Sequence, residues 1–310
     1  MRIPKGGIAF FDSGIGGLTV MSACEKRSLG DVFYYYGDNT HAPYGNLPPN
    51  KIMRYVHKAF RRFQRIKACA VVIACNTATA VCIERLRKKY KMPIIGAEPA
   101  ILSGAMYGGE VWLLATKATS ESVRVMTLCK KASDYFPQAE IRILPQEHLA
   151  AEIETHIFEQ DHDYLPLLPK GGPNAIVLGC THYIYIKEQI QARYQCKVVD
   201  GNEGIAKRLQ NVLQKMDKKE GKTVEKRRQN FKNRDSRPLS TIFLKILGFL
   251  TTKKPKQREK RRKDISTNKC SRKNSKKARI FKEKHDNATI YFLGKNAEKN
   301  MKIYKQMFVL

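Results

Sequence analysis

Val71-Val72-Ile73-Ala74-Cys75-Asn76-Thr77 and Ile176-Val177-Leu178-Gly179-Cys180-Thr181-His182 decide how this chain is read. Each begins as a short apolar run of the kind that is buried on both faces of a parallel sheet. Each ends at a cysteine and passes at once into small polar residues, where a strand gives way to a helix. A thiol at that junction can face the cleft outside the strand's carboxyl end, near the positive end of a helix dipole, which favours thiolate. One such cysteine suggests a nucleophile. Two in matching settings suggest a pair working on opposite sides of one substrate.

Outward from these two stretches, residues 1–214 alternate strand-like and helix-like segments. Strands are expected at Ile8–Phe11, Phe33–Tyr36, Ala70–Ala74, Ile94–Ile95, Val111–Ala115, Ile141–Leu144, Ala175–Leu178 and Lys197–Val199. Helical spacing fills Lys51–Ile66, Ala80–Tyr90, Ser120–Ala132 and Ile184–Tyr194. This alternation predicts parallel sheets with helices on both faces. An internal repeat is also visible. Asp12 and Thr116, each closing an apolar strand, lie 104 residues apart, and Cys75 and Cys180 lie 105 apart. Two similar α/β halves facing each other would bring both cysteines to one cleft.

The 310 residues, 42% of them hydrophobic, are enough for two domains with a sizeable core. Met-Arg-Ile-Pro-Lys-Gly-Gly leads straight into a strand with no secretory pattern, and no run of about 18 apolar residues occurs, so a cytoplasmic protein with no membrane span is expected. The eight cysteines (24, 69, 75, 82, 129, 180, 196 and 270) show neither paired metal spacing nor the density of a disulfide scaffold. No metal is therefore expected, and the thiols are expected free. Cys24, Cys69, Cys82, Cys129 and Cys196 read as inert core. Cys75 and Cys180 differ, because each sits at a strand end beside polar groups, Asn76 or His182.

The formal charge of +30 is unevenly spread. Residues 215–310 hold 31 Lys/Arg against 9 Asp/Glu, so +22 belongs to that stretch and +8 to the remainder. The dense basic run Lys253–Lys284 reads either as a solvated tail or as the electrostatic footprint of a nucleic-acid binder, and the solvated tail is the preferred reading.

Two further motifs lie outside the cysteine strands. Phe11-Asp12-Ser13-Gly14-Ile15-Gly16-Gly17-Leu18-Thr19 follows the first strand, and its glycines let backbone amides approach a ligand. It lacks the order of a dinucleotide fingerprint. Tyr36-Gly37-Asp38-Asn39-Thr40-His41-Ala42-Pro43-Tyr44-Gly45 is a polar loop ordered by Pro43 and Gly45. No pyridoxal-lysine motif or phosphate cradle stands out, so no cofactor is expected.

Taken together, Asp-Ser-Gly-Ile-Gly-Gly-Leu-Thr (12–19), Ala-Pro-Tyr-Gly (42–45), Ala-Cys-Asn-Thr-Ala (74–78) and Gly-Cys-Thr-His-Tyr (179–183) resemble the motifs of the cofactor-independent aspartate/glutamate racemase family, in its glutamate form. The match runs in order across about residues 5–210. The resemblance implies two flavodoxin-like domains with parallel sheets facing across a cleft. It also implies interconversion of L- and D-glutamate, which supplies D-glutamate for peptidoglycan and hence for cell shape.

Carried over residue by residue, the resemblance makes Cys75 the thiol that takes the proton of D-glutamate and Cys180 the thiol that takes that of L-glutamate. Asp12 would assist Cys75, and Glu152 and His182 would assist Cys180. Asp12 with Ser13, Tyr44 with Gly45, Asn76 with Thr77, and Thr181 with His182 would bind substrate. The chain departs from the family pattern around Glu152, where Leu144-Pro145 replaces the usual Cys-Pro and where Glu147 and Glu154 are nearby competitors. It also has Ile184 where the family often has proline. An aspartate or hydantoin racemase of the same superfamily is the alternative enzyme.

The domain layout expected from these readings is 1–97 for the first domain, completed by about 205–216 and in one variant by 240–262. Residues 98–204 would form the second domain. Residues 217–310 would be a basic C-terminal extension, largely disordered or weakly folded. The partner expected is glutamate, and a homodimer is compatible with the resemblance.

Overall fold

The computed structural model describes residues 6–159, 162–235, 280–285 and 288–308. Two compact units are present, residues 1–213 with 278–310, and residues 214–277. Within the second unit the described residues are 214–235, which are helical.

The first unit contains two sheets. Strands β1 (Ile8–Asp12), β2 (Val32–Gly37), β3 (Ala70–Ile73) and β4 (Ile94–Gly96) belong to one. Strands β5 (Gly109–Ala115), β6 (Ala139–Pro145), β7 (Ala175–Leu178) and β8 (Lys197–Val199) form the other. Two C-terminal strands, β9 (Ile280–His285) and β10 (Ala288–Leu293), complete the first sheet in the order β4-β3-β1-β2-β10-β9. The second sheet runs β6-β5-β7-β8. All pairings are parallel except β9 with β10. The strand order 4-3-1-2 therefore recurs as 8-7-5-6. In each half the cysteine-bearing strand lies beside the strand that opens the half, so the repeat seen in the sequence is a repeat of topology.

Helices cover both faces of each sheet, as parallel strands buried on two sides require. On one face of the first sheet α1 (Gly17–Lys26), the first turns of α9 (Asn202–Asp235) and α10 (Ala297–Phe308) pack on Phe10, Phe33, Tyr35 and Phe292. On the other, α2 (Pro49–Arg65) and α3 (Asn76–Lys89) pack on Phe11, Tyr34, Tyr36 and Ile73. Alternate residues of one strand thus enter opposite cores. The second sheet is covered by α4 (Ile101–Ala105) and α6 (Val123–Tyr135) on one side. Helices α7 (Leu149–His156) and α8 (Lys187–Tyr194) cover the other. A short helix α5 (Lys117–Ser120) follows β5. The chain passes from the first half to the second after Gly96 and returns after Val199.

The C-terminal stretch departs from the sequence expectation. Residues 280–285 and 288–308 are not a disordered tail. β10 pairs with β2, with Ile290 opposite Phe33 and Phe292 opposite Tyr35. Ala288-Thr-Ile-Tyr-Phe-Leu293 is an ordinary buried-strand composition, and Ile290 and Phe292 are fully buried. The lysines that surround this strand in sequence hid it, because long side chains can be solvated while a neighbouring strand is buried. Helix α9 likewise extends to Asp235, through the first part of the expected tail. The variant that completed the domain with 240–262 falls outside the described residues, as does Cys270. No helix among the described residues is long and apolar enough to cross a membrane.

Candidate active site

The carboxyl ends of β1, β3, β5 and β7 converge within the first unit. Cys75 is the N-cap of α3, and its Sγ accepts the Ala78 N–H at 3.4 Å. The thiol points at Ser13 Oγ, 3.4 Å away. Cys180 occupies the equivalent place before the 3-10 turn Thr181–Ile186, and its Sγ lies 3.7 Å from His182 Nδ1. Both thiols are buried, with 5% of Cys75 and 9% of Cys180 exposed. Burial, then the negative charge of Asp12 and more weakly that of Cys180, pushes the Cys75 thiol up to about 12. Cys75 therefore rests protonated.

The glycine loop after β1 is pressed against the second half. Asp12 is fully buried; its Oδ1 accepts the Gly14 N–H at 2.8 Å and its Oδ2 accepts the Thr181 hydroxyl at 3.2 Å. Burial raises the Asp12 carboxyl, with partial relief from the His182 charge and the Gly14 amide. A Cβ on Gly14 would strike Glu154 and His182, and one on Gly16 would strike Thr181. Only glycine admits this approach of backbone to the opposite half. The carbonyls of the same loop accept from Tyr35 OH at Gly14 (2.8 Å) and from Tyr185 OH at Ile15 (2.9 Å).

A second clasp mirrors the Asp12–Thr181 contact. Thr116, at the end of β5, lies 2.8 Å from Thr77 through their hydroxyl oxygens, with Thr119 completing a three-hydroxyl cluster. Residues 12 and 116, related by the sequence repeat, thus each reach a threonine just after the cysteine of the other half. Gly45 abuts Thr116, where a Cβ would come within 2.9 Å of Thr116 Cβ. Tyr44 is buried, and its hydroxyl donates to Asp38 Oδ2 at 2.8 Å, a carboxylate that also holds His41 Nδ1 at 2.9 Å. Burial and the Asp38 charge push the Tyr44 phenol upward, so it stays a donor. Asn76 Oδ1 is buried without a hydrogen-bond partner, an acceptor available to a ligand's ammonium.

The acid beside His182 is Glu154 and not Glu152. Glu154 Oε2 is 2.8 Å from His182 Nε2, and Oε1 accepts from Asn39 Nδ2 at 2.6 Å with Lys299 Nζ 3.6 Å away. Burial alone would raise the Glu154 carboxyl. Hydrogen bonding and charge from His182, with Asn39 and Lys299, outweigh it and hold the carboxyl below its usual value. Burial would likewise lower His182, but hydrogen bonds and charges from Cys180 and Glu154 raise it well above the usual imidazole range. The pair is an imidazolium and a carboxylate. Glu152 instead faces His156 and His162, at 3.5 and 2.9 Å. Residues two apart on a helix point to different faces, so α7 offers only one of them to the thiols. Glu147 contributes its backbone carbonyl to Asn46.

Sequence pattern does not single out Asn39 or Lys299. Asn39 lies inside the quoted loop 36–45, where its polarity gave a weak signal. Lys299 comes from α10, and nothing distinguished it among the many lysines of the C-terminal stretch.

The profile of the family described as Asp/Glu/Hydantoin racemase matches residues 37–209. A relative called "Glutamate racemase" from Leptospira borgpetersenii serovar Hardjo-bovis (strain JB197) is 35% identical over 216 residues, covering 67% of this chain and 82% of the relative. One of the same name from Clostridium perfringens (strain 13 / Type A) is 37% identical over 218 residues, covering 67% and 83%. Among solved structures, Escherichia coli glutamate racemase in complex with L-glutamate and activator UDP-MurNAc-ala superposes with a TM-score of 0.57 at 28% identity, covering 66% of this chain and 81% of that one. Glutamate racemase from Campylobacter jejuni subsp. jejuni superposes with a TM-score of 0.56 at 26% identity, covering 66% and 85%.

Proposed function

The chain belongs to the Asp/Glu/Hydantoin racemase family, and from that premise we propose that it interconverts L- and D-glutamate by passing protons between Cys75 and Cys180. The observation that carries this reading is the pair of buried thiols, each at the carboxyl end of the strand beside the first strand of its half, with Thr77 and Thr181 just after them clasped to the opposite half. An α-proton can be removed from one face and replaced from the other only if a base and an acid flank the carbon. Each sulfur then stands about 3–3.5 Å from that carbon.

In the L-to-D direction Cys180, as thiolate, takes the α-proton, with the His182 imidazolium beside it. Cys75, held protonated by burial, delivers a proton to the opposite face. The return reaction exchanges the roles. The carbanion that forms between the two steps keeps its charge close to the α-carboxylate. Backbone amides of the glycine loop, with the hydroxyls of Ser13, Thr77 and Thr181, are the donors available to hold it. Asn76 Oδ1 is an acceptor for the substrate ammonium, and Asp12 closes the loop over the site.

The D-glutamate made would serve peptidoglycan synthesis in the cytoplasm, a compartment in which the free thiols of the described cysteines persist. Circular dichroism of L-glutamate solutions tests the activity directly. The signal should decay to zero with the protein, and that of D-glutamate should decay to zero from the opposite sign. A stable signal with L-glutamate, alongside racemisation of aspartate, would move the substrate assignment to aspartate.

A further inference from the structure

A cluster unrelated to the two thiols lies at the far end of α7. Glu152 and His156 are one helical turn apart and share a face. His162 returns to them from the segment after the helix. The two imidazoles are parallel within 11° with centroids 4.1 Å apart. Both Nε2 atoms converge on Glu152 Oε1, His156 at 3.5 Å and His162 at 2.9 Å. Both Nδ1 atoms converge on Glu159 Oε2, at 2.9 and 3.6 Å. Each ring therefore lies between the same two carboxylates. The backbone of the returning segment is held by Gln189, which donates to His162 O at 3.1 Å and accepts from Tyr164 N at 3.4 Å. The Tyr164 ring lies against His162, with centroids 4.5 Å apart.

We propose that Glu152, His156 and His162 bind a first-row divalent cation of the zinc class, with Glu159 orienting both imidazoles from behind. Their ligand atoms lie within 4.8 Å of one another, close enough to gather around one ion at bond lengths of about 2.0–2.2 Å. Two imidazole nitrogens and one carboxylate oxygen suit zinc, cobalt or nickel rather than magnesium or calcium. Glu159 Oε2 lies near both Nδ1 atoms without a hydrogen bond to His156 Nδ1, and a metal-bound imidazole commonly donates its other N–H to a carboxylate so placed. The cluster is partly exposed, so a fourth position is open to water. An ion there would tie the end of α7 to the segment 162–167, steadying the helix that also carries Glu154.

The test is a Co²⁺ titration of the EDTA-treated full chain, read by visible absorption. One equivalent should produce d–d bands of nitrogen and oxygen ligation, without sulfur-to-cobalt charge transfer. His162→Gln and His156→Asn should abolish those bands while far-UV circular dichroism stays unchanged. Glu159→Gln should keep them with affinity weakened about 10- to 100-fold. Zn²⁺ should displace the cobalt and raise the melting temperature of the wild-type chain but not of His162→Gln. The proposal is overturned if the wild-type chain gives no such bands, if His162→Gln leaves them intact, or if they carry a sulfur charge-transfer band that Cys75→Ser or Cys180→Ser removes.

Discussion

Glu154 Oε2 and His182 Nε2 lie 2.8 Å apart, both almost wholly buried, and the same carboxylate oxygen takes the Ile15 amide at 3.2 Å. One side chain of the second half therefore orients the histidine beside Cys180 and also docks the glycine loop of the first half. Breaking it disturbs both thiols' surroundings at once. Glu154→Gln is expected to lower the racemisation rate by about 10²-fold, the lower end of what a displaced acid–base group costs. Glu152→Gln, which loses only contacts with His156 and His162, is expected to stay within a few-fold of wild type. Initial rates by circular dichroism for the two variants decide the matter, and the reverse ranking would restore Glu152 as the acid that assists Cys180.

The same pair gives a pH signature in stability. The pKa of His182 is raised above 6.5, so its contribution is complete below that value and is lost as pH rises through the folded pKa. The pKa of Glu154 is depressed below 4.5, so its contribution is complete above that value and is lost as pH falls through the folded pKa. The two are fully expressed together only between 4.5 and 6.5. The gap in melting temperature between wild type and Glu154→Gln should be widest there and narrow on the alkaline side. A gap that widens with rising pH would mean that the imidazole is not charged at rest.

For the thiols, the expectation concerns which face each serves. Cys75→Ser and Cys180→Ser should each cost at least about 10²–10⁴-fold in racemisation in both directions, since either loss removes one of two obligatory proton carriers. Isotope placement is more discriminating. In D₂O, D-glutamate formed early from L-glutamate should carry deuterium at the α-carbon, while the remaining L-glutamate keeps its protium. Early deuterium in both enantiomers would point to a single base serving both faces.

The two sheets and the positions of both thiols were legible in the sequence because their signals are local. An apolar run ending at Cys75 or Cys180 states its own burial, and the 104- and 105-residue offsets reflect the recurrent strand order. Glu154 was not separable from Glu152 by pattern. Both lie on α7, and which face meets His182 depends on how that helix is rotated against the 3-10 turn Thr181–Ile186. The Thr116–Thr77 clasp was half visible: the repeat paired Thr116 with Asp12, but a hydroxyl contact between halves leaves no trace in spacing. The C-terminal strands were missed for a different reason. Net charge averaged over 215–310 swamped a six-residue apolar strand whose partner residues in β2 lie 257 positions earlier (Ile290 opposite Phe33).

That strand leads to the last prediction. Phe292 is fully buried between Tyr35 and Tyr304, with ring centroids at 6.3 and 5.9 Å, and β10 shields what would otherwise be the open edge of β2. Phe292→Ala removes a large buried ring, a change that costs about 3–5 kcal/mol. A melting temperature lower by roughly 6–20 °C is expected for a unit of this size. Activity below that temperature should survive in part, because Phe292 touches neither thiol. Lys299→Ala is the complementary variant, since it leaves the strand in place and removes the cation 3.6 Å from Glu154 Oε1. Its melting temperature should be close to wild type, because the lysine is largely exposed, while its rate should fall modestly. Thermal denaturation and initial rates on the two variants separate the structural from the electrostatic contribution of the C-terminal segment. If Phe292→Ala melted like wild type, residues 288–308 would be dispensable to the first sheet, and the contact between Lys299 and Glu154 would lose its support with them.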